Sequence, residues 1–136
     1  MLVAIVGDPW VGNERMIRMN SITRLASKIP GYDSTLPTTT ILDSKFSNEL
    51  MYKAMNARHF GENVVIDVEC FTDIHPILKA CVDVFVMTTE KAAIDCLEKI
   101  KQYLDNRLVE FTFNNGSAQP FMLHDRRTGI TGSYSD

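Results

Sequence analysis

Apolar residues fall along this chain in short unbroken runs, and the stretches between them carry a helical period. The runs are Leu2–Val6, Thr38–Asp43, Asn63–Glu69 and Val82–Met87, each brief and rich in β-branched residues. Continuous rather than alternating apolar character predicts strands of a sheet covered on both faces, as in parallel α/β folds. Two further segments, Val109–Asn114 and Pro120–His124, alternate more and flank Asn115-Gly116-Ser117. That pattern predicts an antiparallel edge hairpin. Residues 15–29 place Met16, Met19, Ile22, Leu25 and Ile29 at helical spacing. Residues 47–60 do the same with Leu50, Met51, Ala54 and Met55, behind Ser47 as a candidate cap. Residues 89–104 carry the clearest stripe, Ala93, Leu97, Ile100 and Leu104, with Thr88 or Thr89 as its cap. The resulting order, β-α-β-α-β followed by strands, predicts α/β architecture. Residues 1–125 read as a single domain, and the Gly-rich polar ending RRTGITGSYSD, residues 126–136, reads as a flexible tail.

Composition narrows this picture only slightly. A chain of 136 residues suits one domain with one core, and 45% hydrophobic with 23% charged residues suits a soluble globular protein. No apolar run approaches the ~20 residues of a membrane span. The opening MLVAIVG lacks a basic region and turns at once, so it reads as a buried strand and not a signal peptide. A formal charge of −3 gives no general attraction to nucleic acid. Cys70, Cys81 and Cys96 have neither zinc-site nor C-x-x-C spacing and lie among apolar residues, which predicts buried reduced thiols in an intracellular protein.

The first run leads into candidate chemistry. Gly7 closes it and Gly12 follows five positions later, the G-x-x-x-x-G frame of a phosphate-binding loop. A working loop continues with Lys, which neutralises phosphate, and Ser or Thr, which ligates Mg²⁺. Asn13 and Glu14 stand there instead, and Glu14 places negative charge where a helix N-terminus would attract an anion. Trp10 inside the frame also opposes tight wrapping of a phosphate. The second run ends in Asp43, as a Walker B strand does, but Ser44 replaces the acid that polarises the attacking water. Other groupings are weaker. His59, His75 and His124 with Asp43, Asp67, Asp73 and Asp125 have no spacing that assembles a metal site, so none is expected. Arg58-His59 at a helix end could meet a phosphate or simply the helix dipole. Arg126-Arg127 reads as part of a solvated tail, and no nucleophile elbow is present.

A longer signal is continuous from residue 38 to about residue 90. Asn56-Ala57-Arg58-His59 follows the second run and its helix; the third run ends at Glu69; Ile74-His75-Pro76 makes a turn; Lys79 follows; and Asp83-Val84-Phe85-Val86 opens the fourth run. In order and residue type this resembles the viral genome-packaging ATPases of the poxvirus type, within the HerA–FtsK group of P-loop motors. The resemblance implies a three-layer P-loop-like α/β domain with a mostly parallel sheet, and an ATPase using ATP and Mg²⁺. It places Glu69 at the position of a sensor Gln and Lys79 at that of an Arg. Such an ATPase needs Lys and Ser or Thr in the loop, an acid after the second run, a polar sensor and an Arg, and this chain offers Asn13, Glu14, Ser44, Glu69 and Lys79 at those positions. The expectation is therefore a degenerate relative with no cofactor. Asp43, Glu69 and Lys79 would be vestigial catalytic positions, and Gly7, Gly12, Asn13, Glu14 and Arg58 vestigial nucleotide-binding ones.

Three functions compete. The first is a structural or interaction component, in a virion or beside a packaging motor, acting through protein partners or its own copies and meeting DNA only through the assembly. The second is a residual ATPase in which Lys79 or Arg58 compensates for the missing loop Lys. The third is an unrelated small α/β binding module. Sheet order separates the third from the others: the P-loop reading needs the Leu2 strand beside the Asn63 strand, with the Thr38 strand close by.

Overall fold

The computed structural model describes residues 1–8, 15–42, 47–116 and 119–135, and for residues 15–18 the backbone alone. Strand β1 (Leu2–Val6) is buried at all five positions. It runs parallel to β3 (Asn63–Val68) on one side and to β4 (Val84–Met87) on the other. Beyond β3 lies β2 (Thr38–Leu42), also parallel. Beyond β4 lie β5 (Pro120–Asp125) and β6 (Ile130–Ser135), both antiparallel to their neighbours. The order is β2-β3-β1-β4-β5-β6. The opening strand is therefore internal, the Asn63 strand lies beside it and the Thr38 strand is next, which is the order the P-loop reading needs.

Layers on both faces explain the unbroken apolar runs. Helix α1 (Arg15–Ser27) covers one face, setting Ile22, Leu25 and Ala26 against Val3, Ile5, Val65 and Val86. The other face receives α2 (Asn48–Met55), a short α3 (Pro76–Lys79), α4 (Glu90–Lys99) and α5 (Asn106–Asn114). Their Ala54, Leu78, Ala93, Leu97 and Val109 pack on Ala4, Val6, Ile66 and Phe85. Each fully buried Ile or Phe in these layers contributes about 1.5–3 kcal/mol. The predicted caps are in place: Ser47 Oγ accepts the Leu50 N–H at 3.2 Å, and Thr89 Oγ1 accepts the Ala92 N–H at 3.1 Å.

Two expectations are corrected. Val109–Asn114 belongs to helix α5 and not to a strand. Asp105 initiates it by accepting the Arg107 and Leu108 N–H groups, and Val109 and Thr112, three apart, turn inward together. The edge hairpin is instead β5–β6, so the segment read as a flexible tail continues the sheet through Ser135. Its polar sequence suits an edge strand with one open side. Tyr134 anchors it by stacking on Phe121, with centroids 5.5 Å apart. Gly129 (φ +75°) makes the turn, donating its N–H to the Asp125 carbonyl at 2.7 Å.

Candidate functional site

The carboxyl ends of β1 and β3 and the first turns of α4 enclose a cleft of about 180 Å³. Gly7 forms its inner corner. Its N–H donates to the Val68 carbonyl at 2.9 Å, which ties the end of β1 to β3. Its φ is +107°, a conformation L side chains rarely adopt. A Cβ there would lie 2.6 Å from Thr88 Oγ1 and 3.3 Å from both Thr89 Oγ1 and Ala92 Cβ. The two threonines therefore overhang the corner. Thr88 is anchored through its N–H and its hydroxyl, both donating to the Val6 carbonyl, at 3.0 and 3.3 Å.

Among the described residues, the charged groups lining the cleft are Asp8, Glu69, Asp95 and Lys91. Three described carboxylates thus share this lining with one described ammonium, and Asp95 also pairs with Lys99 at 3.3 Å. Glu69, expected from the sequence as a vestigial position, is among the lining residues. Asp8, Thr88, Thr89, Lys91 and Asp95 carry no such expectation. Asp8 follows Gly7 directly, whereas the other four meet it because β4 lies beside β1, and no local motif announces that juxtaposition.

The remaining sequence-predicted positions scatter. Gly12, Asn13, Glu14 and Asp43 lie outside the described residues. Lys79 stands beside the cleft without lining it, its Nζ 4.8 Å above the ring of Phe71, a residue of the cleft wall. Arg58 is at the opposite end of the sheet, paired with the Asp83 carboxylate, whose other oxygen accepts the Leu2 N–H at 2.8 Å. It is therefore not brought to Gly7, because the chain after α2 returns to the amino ends of the strands before β3 begins.

The histidines are equally dispersed. His75 Nδ1 accepts the Ile77 N–H at 3.2 Å and caps α3. His59 packs edge-on against Phe60. His124 is buried, with Nδ1 2.7 Å from Thr131 Oγ1; burial lowers its pKa, as does the charge of Arg126. Asp73 accepts the Cys70 N–H, and Asp125 pairs with Arg127. Among the described residues no group of three or more His, Cys, Asp or Glu is arranged to hold a metal. Only Cys96 fits the expectation of a buried thiol, its pKa pushed up to about 12 by burial and by Asp95; Cys81 is half-buried and Cys70 exposed. Among the described residues no helix is long and apolar enough to cross a membrane.

No family model matches the chain, and no curated protein sequence matches it. Solved structures do. The structure of B204, the DNA-packaging ATPase of Sulfolobus turreted icosahedral virus, superposes with a TM-score of 0.53 at 14% identity, covering 97% of this chain and 82% of that one. The genome-packaging NTPase B204 of Sulfolobus turreted icosahedral virus 2, in complex with sulfate, gives 0.52 at 15% identity, covering 97% and 80%. The same NTPase in complex with AMPPCP gives 0.50 at 18% identity, covering 85% of this chain and 57% of that one. The fold is thus P-loop NTPase-like and resembles that of a viral genome-packaging NTPase.

Proposed function

We propose that this chain is a catalytically silent relative of the viral genome-packaging ATPases of the poxvirus type. Its role is that of a structural or interaction component, in the virion or beside a packaging motor, within an infected cell. The observation that carries this reading is the charge of the described lining of the cleft beside Gly7, where Asp8, Glu69 and Asp95 outnumber Lys91. ATP with Mg²⁺ is a net anion. A charge-assisted hydrogen bond to phosphate contributes roughly 1.5–3 kcal/mol, and like charges in a partly dry cleft oppose binding further. The described lining therefore does not fit a triphosphate. Asn13 and Glu14, at the sequence positions of the loop Lys and its hydroxyl neighbour, point the same way. No reaction step is assigned. Binding to protein, or to further copies of the same chain, is the activity left to such a fold, and DNA would be met through that assembly.

Titration calorimetry with Mg-ATP tests the proposal: no saturable heat is expected at micromolar protein, and a micromolar Kd would refute it. One observation favours a second reading, a residual nucleotide site. Lys91 lines the cleft and could supply the positive charge that Asn13 does not. On that reading Lys91→Ala abolishes a binding signal that the wild type possesses.

A further inference from the structure

Among the described residues, a concavity of about 800 Å³ lies at the other end of the sheet, at the amino ends of the parallel strands. One wall is the end of α2 and the turn after it, with Met55, Arg58 and His59; the other is the β5–β6 turn, with Arg126 and Arg127. Three guanidiniums and an imidazole therefore face a single lining carboxylate, Asp83, on a chain whose net charge is −3. Arg58 is held by Asp83, and Arg127 by Asp125. Arg126 donates only to the carbonyls of Lys79 at 2.7 Å and Val82 at 3.3 Å, so its charge has no carboxylate partner among the described residues.

An apolar patch adjoins this basic groove. Tyr52, Met55 and Phe60 are 61%, 43% and 46% exposed. The Phe60 ring packs 5.8 Å from Tyr52 and 5.3 Å from His59, so the patch runs unbroken from the groove wall. Exposed aromatic, Met and Arg side chains together are the composition of protein interfaces.

We propose that this groove docks an acidic peptide segment of a partner protein. Its carboxylates would meet Arg126 and the outer faces of Arg58 and Arg127, and a neighbouring apolar side chain would lie on Tyr52, Met55 and Phe60. Charge complementarity selects the acid, and the adjoining patch selects the apolar neighbour. A nucleic acid strand fits less well. It needs a track of uncompensated cations along its backbone, whereas two of the three guanidiniums here already hold carboxylates. The inference names the partner class for the interaction role proposed above and rests on that reading. The two sites occupy opposite ends of the sheet, however, so a Mg-ATP signal would overturn the silent reading and leave a peptide result standing.

Selection of displayed random peptides on the full chain tests it. The expected result is enrichment of sequences pairing Asp or Glu with Leu, Phe or Tyr. A synthetic copy of the most enriched peptide then shields Cys81, in the groove, from alkylation and leaves Cys70, at the far end of the sheet, reactive. His59→Glu and Tyr52→Ala, both at exposed positions, weaken that peptide about tenfold with unchanged melting, and added salt weakens it further. Enrichment without acidic residues, no enrichment, or shielding of Cys70 instead of Cys81 overturns the proposal. So does an oligothymidylate of about twenty nucleotides that shields Cys81 more strongly than the peptide.

Discussion

A methyl group at Gly7 would combine two penalties, a φ of +107° and a 2.6 Å approach to Thr88 Oγ1. Backbone strain of this kind costs roughly 1–3 kcal/mol. Gly7→Ala is accordingly expected to lose at least that much stability in urea titration; a loss under about 0.5 kcal/mol would mean the corner is not closed by Thr88. Two titrating residues make a second prediction. Arg127 bonds Asp125 through Nε at 3.0 Å and Nη2 at 2.8 Å and holds its carboxyl below the usual value of 3.8. The ionised form is favoured in the folded chain, so this stabilisation is complete above pH 3.8 and disappears as pH falls through the folded pKa. His124 is lowered from 6.5 mainly by burial, so its neutral form is favoured when folded; its contribution is complete above pH 6.5 and disappears below. Stability should therefore decline in two stages on acidification. His124→Gln should flatten the stage that begins below pH 6.5, and Asp125→Asn the stage that begins below pH 3.8, read by denaturant midpoints. An unchanged profile in His124→Gln would place the upper stage elsewhere. At this scale Gly7 and Glu69 could be picked out because each ends an apolar run, and both line the same cleft. Arg58 lies away from Gly7, because in a parallel β-α-β unit the turn after the helix returns to the amino ends of the strands.

The clearest lesson at the scale of elements is α5. Val109, Phe111 and Phe113 alternate with polar residues and include two aromatics, which locally favours a strand. The cap at Asp105 and the spacing of Leu108, Val109, Thr112 and Phe113, which all reach the core, favour a helix, and tertiary burial decides between them. The two readings predict different mutants. In a strand Val109 and Phe111 would share a face and a fate. In the helix Val109 is buried and Phe111 is 63% exposed. Val109→Ala should cost about 2 kcal/mol and Phe111→Ala less than about 0.5 kcal/mol; equal losses would contradict the helix. The four parallel strands were legible because burial on both faces leaves unbroken apolar runs. Strand β6 was not, since an edge strand needs only backbone pairing and one anchor, here Tyr134, and its Ser, Thr and Gly residues resemble a loop.

On the scale of the whole molecule, the order β2-β3-β1-β4 brings the ends of β1 and β3 together, and this is what gives Gly7 and Glu69 a common cleft. The same order sends the basic groove to the opposite end. Exposed Tyr103 (86%) and Phe111 add apolar surface beyond the groove, which supports a role inside an assembly. Sedimentation at micromolar concentration should find oligomers or, with the partner present, a complex; a lone stable monomer under both conditions would count against that role. The central claim is that the fold persists while the charges that grip a triphosphate are absent. Its most direct test is a calorimetric Mg-ATP titration of the wild type beside Asn13→Lys. Neither should bind with micromolar affinity, because one lysine does not offset the carboxylates of Asp8, Glu69 and Asp95. A micromolar Kd in the wild type, or ATP hydrolysis restored by Asn13→Lys alone, would contradict the account.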